Sequence, residues 1–208
     1  MLGTPPAQAQ NRADDAVLEM QKAFRKGDSK KLEQLLPSVR GHALEPWAAY
    51  WTLKARLNEA TEAEVQAFLQ RYAGTYQEDR LRNDWLLLLG QRRDWAQFAA
   101  YHPQYRMQDD REVRCYALLI DQIKGTAPAS AGDDVQRAWF ALRDADDGCT
   151  HAASQFYADG KLGKLDVWRK ARLAVEANRP KTARVAAAIV SDDAPSQIAE
   201  ISNSSIKY

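Results

Sequence analysis

Arg93-Asp94-Trp95-Ala96-Gln97-Phe98-Ala99-Ala100-Tyr101-His102-Pro103 is the stretch on which the reading of the fold turns. Asp94 is a residue type that caps helix N-termini, because its carboxylate accepts hydrogen bonds from the free first-turn N–H groups. Trp95, Phe98 and Tyr101 follow at helical spacing on one face, and Pro103 cannot continue the helix. The same arrangement stands earlier in the chain, where Gly27-Asp28-Ser29 precedes Leu32 and Leu35 and Pro37 ends the run. Between the two, Thr61 and Glu64 form the Ser/Thr-x-x-Glu capping pattern ahead of Val65, Phe68, Leu69 and Tyr72. Leu32, Val65 and Phe98 are spaced by 33 residues, and so are Leu35, Phe68 and Tyr101. A period of that length fits stacked helical hairpins. The correspondence ends at Pro103. The pattern therefore predicts an all-α, irregular α-superhelix (an α-solenoid of short hairpins), with a non-repeating helical bundle as the alternative.

Working outward, apolar residues keep helical spacing almost throughout, and period-2 alternation is hard to find. Ala16, Met20, Ala23 and Phe24 form one stripe, ended by Gly27. Pro46 sits in the first turn of a helix carrying Trp47, Tyr50, Trp51 and Leu53, where its missing N–H costs nothing. Leu81, Trp85, Leu88 and Leu89 make a helix that Gly90 is expected to close. Asp109 or Asp110 is expected to cap Val113 to Ile120, and Gly125 to Gly132 reads as the clearest loop. Asp133 or Asp134 then caps Val135 to Leu142. Helices from Thr150 to Ala158, Leu165 to Ala177 and Ala183 to Val190, the last opened by Pro180, complete the series. Residues 1–11 read as a flexible tail, 12–190 as the superhelical domain, and 191–208 as a C-terminal tail or last incomplete helix.

Composition excludes several classes. The 208 residues carry 29 Lys+Arg against 28 Asp+Glu, which disfavours nucleic acid as a partner. Six Trp argue against disorder. The longest apolar run, Trp85 to Leu89, is far short of the ~20 residues of a transmembrane helix. Ala7-Gln8-Ala9 has the small-x-small form of a signal-peptidase site but lacks the charged and apolar regions that should precede it. It reads equally as the remnant of an export signal or as an ordinary polar tail. Cys115 and Cys149 could form one bridge of the kind that persists outside the cytosol, or could be two buried thiols.

Chemistry-bearing motifs are absent from the sequence. His42, His102 and His151 have no local partners, and no metal-ligand spacing, phosphate-binding glycine loop or Gly-x-Ser-x-Gly elbow occurs. No catalytic, cofactor-binding or metal-binding residue is assigned, and no cofactor is expected. The acid pairs Asp14-Asp15, Asp109-Asp110, Asp133-Asp134, Asp146-Asp147 and Asp192-Asp193 invite a glycosidase reading. Three of them stand at predicted helix starts, so capping is the better one. Trp47 and Trp51, one turn apart, read as core packing more readily than as a sugar platform. Lys161, Lys164, Arg169, Lys170, Arg172, Arg179, Lys181 and Arg184 concentrate positive charge, as a solvated face or as a surface for an anionic polymer.

Several segments, in order, resemble the N-terminal part of the superhelical, U-shaped domain of soluble lytic murein transglycosylases. Ala43-Leu44-Glu45-Pro46-Trp47-Ala48-Ala49-Tyr50-Trp51 is similar to that family's P-L-x-P-Y-x-x-Y helix start. Val65 to Leu69 follows, then Leu86 to Phe98 with Arg93-Asp94-Trp95, then Cys115-Tyr116-Ala117-Leu118, Gly148-Cys149, and Leu165 to Pro180. The resemblance spans roughly residues 12–190. It implies a periplasmic protein with a Cys115–Cys149 disulfide. It also implies a parent enzyme that cleaves the β-1,4 bond between N-acetylmuramic acid and N-acetylglucosamine in peptidoglycan, leaving a 1,6-anhydro end. In that family one glutamic acid of a C-terminal lysozyme-like domain acts as acid and then base. The family's Glu-Ser pair and Gly-Leu-Met motif do not occur here, so no catalytic residue carries over. The expectation is a truncated, non-catalytic scaffold whose partners are peptidoglycan, through the parent enzyme, and its own missing catalytic domain. A free-standing tetratricopeptide-like interaction module and an enzyme acting through unrecognised residues are the alternatives.

Overall fold

The computed structural model describes residues 6–204. Among them are twelve α-helices and no strand, so the chain is all-α as its periodicity predicts. Two compact units divide within the fifth helix, one ending at Leu88 and the other starting at Leu89.

The first unit holds α1 (Pro6–Lys26), α2 (Ser29–Leu35), α3 (Glu45–Lys54), α4 (Glu62–Arg71) and most of α5 (Tyr76–Gln91). Helix α1 begins inside the stretch expected as a tail; residues 1–5 of that stretch lie outside the described residues. Gly27, at φ 70°, reverses the chain after α1. Its N–H donates to Phe24 O at 3.0 Å and the Asp28 N–H to Ala23 O at 3.0 Å, a glycine-terminated helix end that satisfies the last carbonyls. Asp28 then caps α2, its Oδ1 accepting from Lys31 N at 3.1 Å. One dipeptide thus ends one helix and begins the next. Met20, Leu32, Val39 and Ala48 are fully buried where α1, α2 and α3 pack together. Removing a side chain the size of Met20 or Leu32 from water contributes about 1.5–3 kcal/mol. Thr61 opens α4 with the expected reciprocal cap: Glu64 N donates to Thr61 Oγ1 at 3.3 Å, and Thr61 N to Glu64 Oε2 at 2.8 Å. Helix α5 buries five polar residues, Glu78, Asp79, Arg82, Asn83 and Asp84. Pairing makes that tolerable: Arg82 donates to Glu78 at 2.5 Å, and Asp84 accepts from Tyr50 Oη and from Lys54 Nζ, each at 2.7 Å.

Gly90 does not close its helix as the sequence reading expects. Helix α5 runs to Gln91, and the reversal falls on Arg93, at φ 60°. Arg93 N donates to Gly90 O and Asp94 N to Leu89 O, both at 3.0 Å, the bond pattern seen at Gly27. Asp94 then caps α6 (Trp95–Tyr101), accepting from Gln97 N at 3.1 Å. The two stretches that share a place in the sequence period, Gly27-Asp28 and Arg93-Asp94, therefore share a hydrogen-bonding pattern.

The second unit continues through α7 (Arg111–Ile123), α8 (Ala131–Phe140), α9 (Asp147–Ala158), α10 (Lys164–Glu176), α11 (Pro180–Ala188) and α12 (Ala194–Ser204). Asp110 rather than Asp109 caps α7, accepting from Glu112 N and Val113 N at 2.9 and 3.1 Å. Asp146 caps α9, accepting from Cys149 N at 2.8 Å, which starts that helix earlier than expected. Helix α8 departs from the sequence reading. Ser130 occupies the N-cap position, and Asp133 and Asp134 lie in the first turn, where their charge still favours the helix dipole. The loop is correspondingly shorter than Gly125 to Gly132. Gly132 is inside the helix, where a Cβ would stand 2.9 Å from the Lys161 carbonyl oxygen. Neighbours in the chain pack on one another: α7 and α8 on α9, α10 on α11, α11 on α12. Leu119, Val135, Trp139, Phe156 and Val167 fill this core.

Candidate functional site

The structure scatters the histidines. His42 Nδ1 accepts from Leu44 N at 3.0 Å, which leaves the proton on Nε2, 2.7 Å from Asp14 Oδ1. Both ring nitrogens are thereby occupied in bracing a loop. His102 stacks on Phe98 with centroids 5.4 Å apart, and burial holds its pKa below the usual value. His151 is exposed beside Arg93 and Asp147; partial burial and then the Arg93 charge lower its pKa. Among the described residues no group of three or more His, Cys, Asp or Glu is placed to hold a metal ion.

The acid pairs are also dispersed. Asp14-Asp15 lies within α1, and Asp192-Asp193 immediately precedes α12. Asp109 accepts from Tyr105 Oη at 2.7 Å, and Asp134 from Arg137 at 2.5 Å. The Asp109 and Asp134 carboxylates are each used in a bond to a residue three or four positions away. The basic segment loses one member from its surface. Lys170 is buried, its Nζ donating to the carbonyls of Trp139 and Leu142 at 2.5 and 2.6 Å, at the end of α8. Burial lowers its pKa. Arg179 pairs with Asp144 at 2.9 Å, and Arg169 lies over the Phe140 ring at 5.3 Å.

One constellation does gather residues from distant segments. A disulfide joins Cys115 of α7 to Cys149 of α9, with Cα atoms 4.9 Å apart. Tyr116, the next residue, is fully buried. Its ring crosses two glycines: a Cβ on Gly90 would lie 2.4 Å from it, and one on Gly148 3.1 Å from it. Trp95 and Phe98 flank it, each with centroids 6.1 Å away. The Tyr116 hydroxyl donates to Asp147 Oδ2 at 2.5 Å. Asp147 also takes both terminal nitrogens of Arg93, the Nη2–Oδ1 bond being 2.8 Å. Arg93 Nη1 donates to Gly90 O at 2.8 Å, and its guanidinium lies 5.8 Å from the Trp95 ring centroid. Glu112 closes the far side, accepting from Gly148 N at 3.0 Å.

The electrostatics follow from these contacts. The Arg93 guanidinium, with help from the Tyr116 hydroxyl, holds Asp147 below the usual carboxylate range. Burial, then the bond to Asp147, pushes the Tyr116 phenol far above its ordinary value, so it keeps its proton at neutral pH. Asp146 is raised to about 6, first by burial and then by the Glu112 charge. An arginine at positive φ costs about 1–2 kcal/mol, and the bidentate bond to Asp147 offsets it. Chemically this is a clasp: a paired cation and anion, a locked phenol and a closed disulfide. Its sequence signal is Gly90 and Gly148, two glycines inside helices with a large ring against each. Arg93-Asp94-Trp95, Cys115-Tyr116 and Gly148-Cys149, three of the segments that carry the family resemblance, meet in it.

Among the solved structures this chain is similar to are three of lytic transglycosylases. An inactive mutant of the lytic transglycosylase Slt from Pseudomonas aeruginosa is 27% identical, with a TM-score of 0.57 over 83% of this chain and 28% of its own. The 70 kDa soluble lytic transglycosylase SLT70 from Escherichia coli is 19% identical, with a TM-score of 0.61 over 96% and 32%. A complex of the 70 kDa soluble lytic transglycosylase with bulgecin A gives 19% and 0.59. The matched region is their superhelical domain. This chain has the fold of the superhelical domain of lytic transglycosylases. It spans about a third of the length of those proteins. No family model and no curated protein matches the sequence. Among the described residues no helix is long and apolar enough to cross a membrane.

Proposed function

We propose that the chain is the non-catalytic helical scaffold portion of a peptidoglycan lytic transglycosylase that works in the periplasm. The observation that carries this reading is the likeness to lytic transglycosylase Slt over 83% of the chain at 27% identity. The chemistry of the clasp supports it. Its charges are paired and its phenol stays protonated, so it fixes helices without supplying an acid or base to a substrate. The carboxylates of Asp28, Asp94, Asp110 and Asp146 are spent on helix N-termini. The Cys115–Cys149 bridge suits an oxidising compartment. In this reading the lysozyme-like catalytic domain of the family is the scaffold's partner and peptidoglycan is the polymer the pair acts on.

The test is to incubate the purified 208-residue chain with peptidoglycan sacculi and analyse soluble products by mass spectrometry. The expected result is no release of 1,6-anhydro ends. Their release by the chain alone would overturn the reading. Thiol titration of unfolded protein recovered from its native host tests the compartment: a scaffold in the periplasm gives no free thiol, and two free thiols would contradict it.

A further inference from the structure

Trp47, Trp51 and Tyr76 form a row of rings on the first unit. Trp47 and Trp51 stand one turn apart on α3 with centroids 6.0 Å apart, and Trp47 is 5.7 Å from Tyr76 of α5. At one end the row is anchored: Trp51 stacks on Phe24 at 6.2 Å, against the core of α1 and α2. Both tryptophans are half-buried, and at the other end Tyr76 is 55% exposed. Core packing accounts for Trp51. It does not account for an exposed phenol ring set beside an indole, since a ring so open to water gains little from burial.

Polar groups border the row. Asp84 is almost wholly buried and holds Lys54 Nζ at 2.7 Å, while the Lys54 side chain stays 37% exposed. Arg80, half-buried, hydrogen-bonds Tyr50 and lies close to Asp84 and Tyr76. The ring faces are thus edged by donors and acceptors that other parts of the fold hold in place.

We propose that this row is a binding platform for a glycan strand, with sugar rings stacked on Trp47 and Tyr76 and sugar hydroxyls bonded by Lys54 and Arg80. A pyranose has one apolar C–H face and a rim of hydroxyls that both donate and accept. It complements aromatic faces bordered by polar groups of both signs. A nucleobase would stack equally well, but its phosphates call for a cationic surface. The chain's 29 basic and 28 acidic residues do not provide that in excess. The inference rests on the peptidoglycan reading above and gives it a location.

The test uses the whole chain and a β-1,4-linked N-acetylglucosamine tetrasaccharide, followed by the indole N–H resonances. The Trp47 and Trp51 signals move on titration, while those of Trp139 and Trp168 in the second unit stay. Tyr76→Ala removes an exposed ring, leaves the melting curve unchanged and weakens binding about tenfold, the worth of one good aromatic contact. Absence of any shift at millimolar sugar would overturn the platform. So would shifts confined to the other tryptophans, or an unchanged affinity in Tyr76→Ala. Those failures differ from failure of the scaffold reading, which shows as anhydro products from sacculi whether or not the row binds sugar.

Discussion

Replacing Gly90 with alanine sets two physical effects against each other with opposite signs. By helix propensity alone, alanine in place of glycine inside α5 stabilises by about 1 kcal/mol. The packing around Gly90 reverses this. The new Cβ would fall 2.4 Å from Cδ2 and Cε2 of Tyr116 and 2.6 Å from Cζ, all well inside contact distance. The ring has no room to retreat. Gly148 lies against it, Trp95 and Phe98 flank it, and its hydroxyl is tied to Asp147 at 2.5 Å. Overpacking a filled core costs about 1–3 kcal/mol, and a ring pinned on several sides belongs at the top of that range. Gly90→Ala therefore nets a loss of roughly 1–2 kcal/mol, or a fall of about 2–8 °C in melting midpoint for a chain of this size. Thermal and urea unfolding followed by circular dichroism measure it. In a Tyr116→Leu background the ring is gone, and the same substitution should cost nothing or stabilise. The coupling between the two positions is the diagnostic quantity. A Gly90→Ala protein that melts higher than wild type, or a double mutant showing no coupling, would refute the claim that Gly90 exists to admit Tyr116.

Three further outcomes follow from named contacts. Asp146 is raised to about 6 from an unfolded value of 3.8, so the folded state binds the extra proton, and stability falls as pH rises from about 4 to 6 and is flat above; Asp146→Asn keeps an oxygen for Cys149 N and should gain roughly 1–2 kcal/mol at pH 7, after allowance for partial exposure, and nothing at pH 3.5, in urea melts at both pH values. Arg93→Ala loses the Asp147 and Trp95 contacts while keeping a Cβ at positive φ, whereas Arg93→Gly loses the contacts but relieves the backbone; the glycine variant should be the more stable by about 1 kcal/mol in urea unfolding. Lys170→Met leaves the Trp139 and Leu142 carbonyls without their donor and should cost about 1–3 kcal/mol by the same measurement, and a neutral result would mean that water replaces the ammonium at the end of α8.

Legibility of the sequence divides along the range of the interaction involved. Capping by Asp28, Thr61 and Asp94 was readable because each side chain bonds an N–H within three residues of itself. The helix end at Gly27 is readable because glycine enters positive φ without penalty. Arg93 does the same work as Gly27, but its conformation is secured by Asp147, 54 residues further on, and no local rule predicts that. Gly90 was misread for the converse reason: its local meaning is a helix terminator, and its actual partner is a tyrosine on another helix. Asp133 and Asp134 mark the right helix, but the chain enters it at Ala131. Lys170 was counted among surface cations because nothing in its neighbours in sequence announces that two carbonyls of α8 lie within its reach. The aromatic row was half legible, since Trp47 and Trp51 share a helix face, while Tyr76 joins them only through the packing of α5.

The resemblance and the geometry coincide at one place, and this bears on what the resemblance can mean. Arg93 and Trp95, Cys115 and Tyr116, and Gly148 and Cys149 stand in three separate stretches of sequence, and all lie in the clasp of the second unit. These residues depend on one another. Tyr116 needs both glycines, Arg93 needs Asp147 to hold its backbone, and the disulfide fixes α7 beside α9. Substituting either glycine crowds the Tyr116 ring, and losing Arg93 takes its bidentate partner from Asp147, in a fold whose net stability is only about 5–15 kcal/mol. The part of the resemblance that falls in this set therefore bears on how these hairpins are joined. It says nothing of bond cleavage: in this set the Arg93 and Asp147 charges are spent on each other and the Tyr116 hydroxyl on Asp147. A ligand-binding surface calls for side chains that are held in place yet open to solvent. On the first unit the row ending at Tyr76, with Lys54 and Arg80 at its edge, meets that condition.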